Sequence, residues 1–350
     1  MKALRWHGRG DIRLDDVPVP VPGPAELLVK VTWCGICGSD LKEWQAGPVV
    51  IADGPHPATH AEPPITMGHE FVGVVADVGP AVAGWAAGDR VALEAELRCG
   101  ACRQCRRGDY HLCDMAAYLG FNADGGLAEY VTVDPAQAVR IPDDVDDEAA
   151  ALLEPLAVAV HAVRRGTPDI GDSVAVLGAG AVGLGVTAVA RAHGAGLITI
   201  VDPLARRTGL AREFGADRTF ADAATAGEHD EDAELRATGG YDVVVECSGQ
   251  PTALASAIAL TRRGGVVVTV GLHSEPVTFD LNELTMNERD IRGSLGYQRD
   301  FPRALALLAA GKIPAKPMVT RRTDLGHVID DGFTALLEHG ADHIKILVGP

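Results

Sequence analysis

Two rhythms divide the chain. Up to about residue 150 the apolar positions come in short runs broken by glycine and proline. Residues 26–33 (ELLVKVTW), 71–78 (FVGVVADV, stopped by Gly79-Pro80), 90–93 (RVAL, after the Gly88-Asp89 turn) and 128–133 (AEYVTV) each read as a strand. Many short strands with such punctuation predict an irregular β domain of the small-barrel kind. The acidic stretch 143–148 (DDVDDE) fits a helix N-terminus, which favours negative charge, and 149–165 reads as a long apolar helix interrupted early by Pro155. From Ser173 the rhythm changes to strand–helix–strand. Residues 173–177, 197–201, 218–220, 241–246, 266–270 and 291–295 are the strand candidates, with helical stretches between most of them. That alternation predicts an α/β fold, a doubly wound parallel sheet with helices on both faces. The continuous apolar run at 243–245 (VVV) fits a strand buried on both sides. One or two helices and a last strand at 344–348 complete the chain, and no internal repeat or low-complexity tract interrupts it.

Composition narrows the partners. The chain has 350 residues, enough for two domains, with 47% hydrophobic and 23% charged residues, ordinary for a globular protein. Forty-eight acids against 31 Lys and Arg give a formal net charge of −17, which repels phosphate backbones and anionic lipid. Neither nucleic acid nor a membrane is therefore an expected partner. No apolar run reaches the length of a membrane span, and residues 1–7 (MKALRWH) lack a signal peptide's apolar core, so a cytoplasmic location is expected. Seven cysteines are too few for a disulfide scaffold, and clustered cysteines in a reducing compartment more often bind metal or do chemistry.

A nucleotide site is legible after the 173–177 strand. Gly178-Ala179-Gly180-Ala181-Val182-Gly183 fits G-x-G-x-x-G where a strand gives way to a helix. Gly178 permits the tight turn, Gly180 lets a pyrophosphate approach the backbone, and Gly183 lets helix and strand pack closely. The helix start at Ala181 and Val182 offers free N–H groups to the phosphates. Asp202, 19 residues after Gly183, is placed to accept hydrogen bonds from the adenosine ribose, which favours NAD over NADP. Arg206 and Arg207 follow closely and weaken that preference; Arg207 is itself a candidate contact. Val270, Gly271 and Leu295, at the ends of later strands, are further candidate cofactor positions. The alternative is a ligand-free glycine loop with Asp202 as a strand cap.

Two constellations point to metal. Cys99, Cys102, Cys105 and Cys113 lie in one 15-residue loop. Four thiolates close a tetrahedral zinc shell with no open position, so this site is expected to be structural. The loop is short of apolar residues, so the metal would replace a core, and Arg98, Arg103, Arg106 and Arg107 are candidates to offset the charge. The second constellation is dispersed: Cys37 in CGICGSD, His69 and Glu70 in GHE, Glu154 in LLEP. A cysteine, a histidine and a carboxylate can hold zinc with a fourth position open. Spacing alone does not assemble them. A lone His69 equally reads as a hydrogen-bonded core residue, and Cys34 as a small buried side chain.

Together, Cys37-Gly-Ser-Asp, Gly68-His69-Glu70, the four-cysteine loop, Leu153-Glu154-Pro155 and the Gly178–Gly183 turn resemble the zinc-dependent medium-chain dehydrogenases over nearly the whole chain. Residues 1–18, WCGICGSD and LLEPLAVAVHAVRR most resemble the 2,3-butanediol dehydrogenases, with sorbitol and threonine dehydrogenases as close relatives. The resemblance implies a GroES-like irregular β catalytic domain from residues 1–150 and 296–350, with a Rossmann NAD-binding domain at 151–295. It implies a catalytic zinc on Cys37, His69 and Glu154, with Glu70 replacing water or a ligand in some states. Ser39 would touch the substrate oxygen and pass its proton outward. Lys345 would lie near the cofactor's pyrophosphate or behind the metal. Relatives often carry a relay histidine where this chain has Lys42; His56 is a replacement candidate only by proximity. The insert at 48–64 is either a loop near the substrate or a rigid surface loop. The implied activity is reversible hydride transfer between NAD and a secondary alcohol, a vicinal diol or acyloin such as 2,3-butanediol or acetoin. A polyol or L-threonine dehydrogenase, a zinc-free reductase and a non-catalytic NAD-binding zinc protein are the alternatives. A homodimer or homotetramer is implied by analogy.

Overall fold

The glycine-punctuated runs of the first part pair mostly as antiparallel strands around one hub. In the computed structural model, which describes residues 1–228, 233–273 and 275–350, that hub is Leu27–Gly35. It pairs antiparallel with Glu70–Val78, Tyr130–Val133 and the terminal strand Lys345–Gly349. Arg90–Leu93 and Ala138–Arg140 extend the sheet on one side, and Val319–Asp324 on the other. Val29 and Val31 of the hub point into the core, beside Phe71, Val75 and Ile346, while Lys30 faces out. Each such buried aliphatic side chain contributes about 1.5–3 kcal/mol. The register matters most for function. Gly35 lies opposite Glu70, and Leu347 opposite Gly35, so three distant segments end at one place.

The second rhythm forms six parallel strands: β1 (Ser173–Leu177), β2 (Leu197–Val201), β3 (Arg218–Phe220), β4 (Tyr241–Glu246), β5 (Thr261–Thr269) and β6 (Asp290–Gly293). Their order, β3-β2-β1-β4-β5-β6, reverses between β1 and β4, as in a doubly wound sheet. The first four match the expected strands. β5 starts five residues before the expected 266 and stops one short of 270. β6 ends at Gly293, so Leu295 lies beyond it, 47% exposed.

The predicted helix at 149–165 is two helices, Asp147–Ala150 and Leu153–Gly166. Pro155 falls in the first turn of the second, where its missing N–H costs nothing. The acidic run caps the first: Asp146 accepts the Ala149 N–H at 2.8 Å. Asp147 and Glu148 then pair with Arg90 (3.0 Å) and Arg322 (2.7 Å).

The chain divides into one unit of Met1–Glu154 with Met318–Pro350 and another of Pro155–Pro317. The second unit thus reaches past the expected boundary at 295. The physical reason is Asp300, which is fully buried. Its carboxylate accepts from Arg164 (2.6 Å), Arg303 (3.0 Å) and the Gln298 N–H (2.9 Å), and lies 3.1 Å from Nδ1 of His161. These contacts tie residues 297–303 to the helix Leu153–Gly166, and the Tyr297 and Phe301 rings pack at 4.9 Å beside them. No helix among the described residues is long and apolar enough to cross a membrane.

Burial works to raise the Asp300 pKa, but His161, the Gln298 N–H and Arg164 outweigh it and hold the carboxyl below its usual range. A carboxylate with a depressed folded pKa stabilises above its unfolded value, about 3.9, and loses that contribution as pH falls through the folded value. Asp300→Asn is expected to cost about 1–3 kcal/mol at pH 7 by weakening its charge-assisted bonds to the part-exposed Arg164 and Arg303 and to His161. Thermal unfolding followed by circular dichroism should show a large gap from wild type at pH 7 that narrows in acid. An equal gap at both pH values contradicts the charge-based account.

Candidate active site

Cys37, His69 and Glu70 come together with their ligand atoms all within 4.8 Å of one another. Cys37 precedes the helix Gly38–Ala46, and its N–H donates to Asp40 Oδ2 at 2.8 Å. The other oxygen of Asp40, a fully buried residue, lies 3.3 Å from His69 Nδ1. A carboxylate there favours the proton on Nδ1 and leaves the Nε2 lone pair for a metal. Ser39 Oγ is 3.3 Å from that Nε2. The Phe121 ring packs against the imidazole at 4.9 Å between centroids. Gly68 turns the chain into the site with φ +95°, and a Cβ there would come within 2.7 Å of Cys34 Sγ and Leu127.

Glu70 and Lys345 form a buried ion pair. Lys345 Nζ donates to both Glu70 oxygens, at 2.7 and 2.5 Å, and to the Ile36 carbonyl at 3.1 Å. Burial opposes the ammonium charge, but Glu70 and Cys37 outweigh it and hold the Lys345 pKa above the ordinary lysine value. Of the two positions implied for Lys345, the structure gives the one beside the metal cluster. Its ammonium is engaged there by Glu70 and the Ile36 carbonyl. Burial acts to lower the His69 pKa, but Asp40 outweighs it and holds the imidazole above its usual range, so a metal would bind at Nε2 by displacing a proton there. Glu154 stands beside the group but not within 4.8 Å of all three ligand atoms, so the structure groups Glu70 with Cys37 and His69 where Glu154 was expected. Burial, with Glu70 and Asp40 adding to it against His69 and Lys345, pushes Glu154 up to about 7.

The residues fit a zinc ion. Thiolate, imidazole and carboxylate are zinc donors, and three protein ligands leave a position open. Asp40, Glu70 and Glu154 crowd three carboxyl groups around the single ammonium of Lys345, and a divalent cation beside them would ease their mutual repulsion.

In the second cluster, Cys99, Cys102, Cys105 and Cys113 also converge within 4.8 Å. The sulfurs of Cys99 and Cys113 are 3.5 Å apart, Cys102 and Cys113 3.9 Å, and Cys99 and Cys105 4.0 Å. Four thiolates at about 2.3 Å from zinc would be about 3.8 Å apart. Amide N–H groups of Cys99, Cys102, Cys105 and Met115 point at the sulfurs at 3.3–3.4 Å. Such donors lower the Cys102 thiol to about 6. The expected arginine balance is only partial. Arg98 lies over the Tyr110 ring, Arg106 donates to the Ala101 carbonyl, and Arg107 pairs with Asp109, so backbone amides carry much of that role.

The glycine turn is formed as expected. Gly178 has φ +100° and Gly180 precedes the helix Ala181–His193, with open space where a Cβ would stand. Ala181 and Val182 open that helix, and Gly183 packs on the Gly178 carbonyl. Asp202 accepts the N–H groups of Ala179 (2.8 Å) and Leu204 (2.9 Å), with Arg207 3.9 Å away. A carboxylate has about four acceptor sites, so the capping role leaves room for a ribose. Val270 and Gly271 donate to the Glu246 carbonyl at 2.8 and 3.1 Å. His56 accepts the Ala58 and Thr59 N–H groups on Nδ1, at 3.2 and 3.4 Å. The Val49 and Val50 amides donate to buried Glu43, and Asn122 donates to the Val50 carbonyl. These bonds favour the rigid-loop reading of the insert. Sequence reasoning missed Asp40 and Phe121; the three-residue spacing from Cys37 was the available signal for Asp40, and Phe121 had none.

Residues 23–143 match the alcohol dehydrogenase GroES-like domain, and residues 181–310 match the zinc-binding dehydrogenase model. (R,R)-butanediol dehydrogenase of Bacillus subtilis (strain 168) is 38% identical over 352 residues, covering 100% of both chains. The chain belongs to the zinc-binding alcohol dehydrogenase family. Sorbitol dehydrogenase of the same strain is 34% identical, covering 100% of this chain and 97% of that one. The crystal structure of 2R,3R-butanediol dehydrogenase from Bacillus subtilis matches with a TM-score of 0.91 at 38% identity, covering 100% of this chain and 99% of that one. An alcohol dehydrogenase from E. coli CFT073 in complex with NADH matches at 0.88, with 28% identity and 100% and 99% coverage. As a member of this alcohol dehydrogenase family the protein is an oxidoreductase that uses zinc and a nicotinamide dinucleotide.

Two zinc ions per chain are expected by metal analysis. Cys102→Ser should lose one of them and lower the melting temperature first. A fully folded, thermally unchanged Cys102→Ser protein that has lost only catalysis would show the loop to be catalytic instead.

Proposed function

We propose that the protein oxidises a short vicinal diol, of the 2,3-butanediol kind, to its acyloin with NAD, and catalyses the reverse reduction. The observation that carries this is the buried Cys37–His69–Glu70 cluster with Asp40 behind the imidazole and Ser39 beside it. Zinc held by Cys37, His69 and Glu70 or Glu154 supplies Lewis acidity to a hydroxyl, and NAD supplies the hydride acceptor. The remaining work falls to side chains of this chain. Asp40 keeps the His69 proton on Nδ1. Ser39 Oγ accepts the proton of the substrate hydroxyl and passes it outward, toward water, since position 42 is lysine. Lys345 neutralises Glu70, so the cluster does not repel an alkoxide with a full extra charge. One thiolate and one carboxylate leave a divalent ion nearly neutral, which acidifies an alcohol less than a cationic shell does. A second, adjacent hydroxyl resting on Glu154 offsets that deficit and favours a diol.

Phe121 favours one of the two substrate classes suggested by the relatives. Its ring beside His69 offers an apolar wall and no hydrogen-bond partner. That suits the methyl groups of butanediol better than the further hydroxyls of sorbitol, each of which would lose its water. The exposed edge strand β6, flanked by exposed Leu295 and Met286, supports association into a homodimer or homotetramer. Seven cysteines, all free thiols, fit the reducing cytoplasm.

The test is a panel of 2,3-butanediol, acetoin, sorbitol and L-threonine, read at the NADH absorbance band with and without a zinc chelator. The diol and acyloin are expected to give the highest kcat/KM, abolished by the chelator. Cys37→Ser or His69→Ala should lower kcat/KM by about a thousandfold or more with NADH binding retained, a loss of several kcal/mol of charge stabilisation. Preference for sorbitol or threonine would overturn the substrate assignment. Full activity in either variant, or no NADH from any alcohol, would overturn the reaction.

A further inference from the structure

Glu246 ends β4 and is fully buried, and its two carboxylate oxygens are treated unequally. Oε1 accepts three hydrogen bonds: from the Ser248 N–H at 2.6 Å, the Ser248 hydroxyl at 2.6 Å and the Gly249 N–H at 2.8 Å. Among the described residues Oε2 accepts none, and it lies 3.3 Å from Nε2 of His273. His273 follows β5 by four residues, and neither of its ring nitrogens, both shielded from water, has a hydrogen-bond partner among the described residues. Buried polar atoms in folded proteins are nearly always bonded. An open carboxylate oxygen beside two open imidazole nitrogens therefore asks for a missing group.

Their place in the fold identifies it. The sheet order reverses between β1 and β4, and dinucleotides lie across the crevice beyond the carboxyl ends of the strands at such a reversal. Gly178 after β1 and Ser248 after β4 meet there; a Cβ on Gly178 would come 3.1 Å from that of Ser248. Asp202, at the end of β2, lies on the adenosine side. Glu246 and His273 lie on the other side, at the ends of β4 and β5, where the second nucleotide of a dinucleotide falls. That nucleotide carries a second ribose with two vicinal hydroxyls. Gly271 keeps the space open, since a Cβ there would come 2.7 Å from Glu246 Oε2.

We propose that His273, held by Glu246, hydrogen-bonds a hydroxyl of the nicotinamide-side ribose of the bound cofactor. The inference rests on the cofactor named under the proposed function. A small turn of the ring lets Nε2–H donate to Glu246 Oε2 and frees Nδ1 to accept the ribose hydroxyl proton. All three open atoms are then satisfied. Glu246 acts as a positioning residue, and its other oxygen is anchored by the Ser248-Gly249 turn.

Titration calorimetry of the zinc-loaded protein with NADH, ADP-ribose and AMP separates the parts of the cofactor. His273→Phe keeps a ring of similar size and removes both nitrogens. The Kd for NADH and for ADP-ribose should rise about five- to tenfold, the effect of one lost hydrogen bond, with the Kd for AMP unchanged. His273→Gln, which restores a hydrogen-bonding end, should recover part of the loss. Unchanged ADP-ribose binding, a loss confined to NADH, or an equal loss for AMP would each overturn the proposal. A wild-type protein that binds none of the three would instead refute the cofactor assignment itself.

Discussion

Two carboxylates that cannot reach water, Asp40 and Glu70, set the terms for the catalytic unit. A buried ion without a partner is unfavourable by several kcal/mol, so each must be met by a cation or by well-placed donors. Lys345 meets Glu70 from the strand Lys345–Gly349, and His69 meets Asp40 from just before the strand Glu70–Val78. Neither pairing is local in sequence. Both depend on the register that sets Gly35 against Glu70 and against Leu347. The central strand Leu27–Gly35 thus does more than fill a core. It fixes the place where Glu70 and Lys345 compensate each other, beside the thiol and imidazole that would hold a divalent ion.

Elsewhere the chain handles buried or crowded negative charge with backbone amides. The four-cysteine loop directs N–H groups at its sulfurs, Asp202 takes two amides at the glycine turn, and Glu246 takes the Ser248-Gly249 turn. Amide donors fixed by tight turns cost no side-chain ordering at the moment a ligand arrives, which suits sites built to receive metal or phosphate. Asp300 is the contrast: it uses side-chain cations to hold distant helices together and has a purely architectural effect.

How much was legible in the sequence follows from how local each signal is. Strands β1, β2 and β4 were readable because a strand buried on both faces is a largely continuous apolar run, and β3, a partly exposed edge strand, by its place in the alternation. The start of β5 was not, because Arg262, Arg263, Gly264 and Gly265 look like a turn; Arg262 is accommodated there by pairing with Asp242. The interruption expected at Pro155 falls instead at Ala151-Leu152, because Pro155 is accommodated in the first turn of the second helix. The later unit boundary rests on Asp300 reaching back to Arg164, a contact 136 residues apart that no local pattern reveals. Similarly, four cysteines in one loop declare a metal site by spacing, whereas Cys37, His69 and the glutamates needed a family resemblance to be read together. That resemblance named Glu154; the geometry brings Glu70 in beside Cys37 and His69, with Lys345 holding it.

Anomalous diffraction at the zinc absorption edge tests the central claim most directly, because it locates the ions independently of activity. The account predicts two peaks per chain. One should lie among the four loop cysteines, and the other about 2.3 Å from Cys37 Sγ and about 2.0–2.2 Å from His69 Nε2 and an oxygen of Glu70 or Glu154. A single peak in the cysteine loop, with Asp40 and Glu70 compensated by protein groups alone, would contradict it.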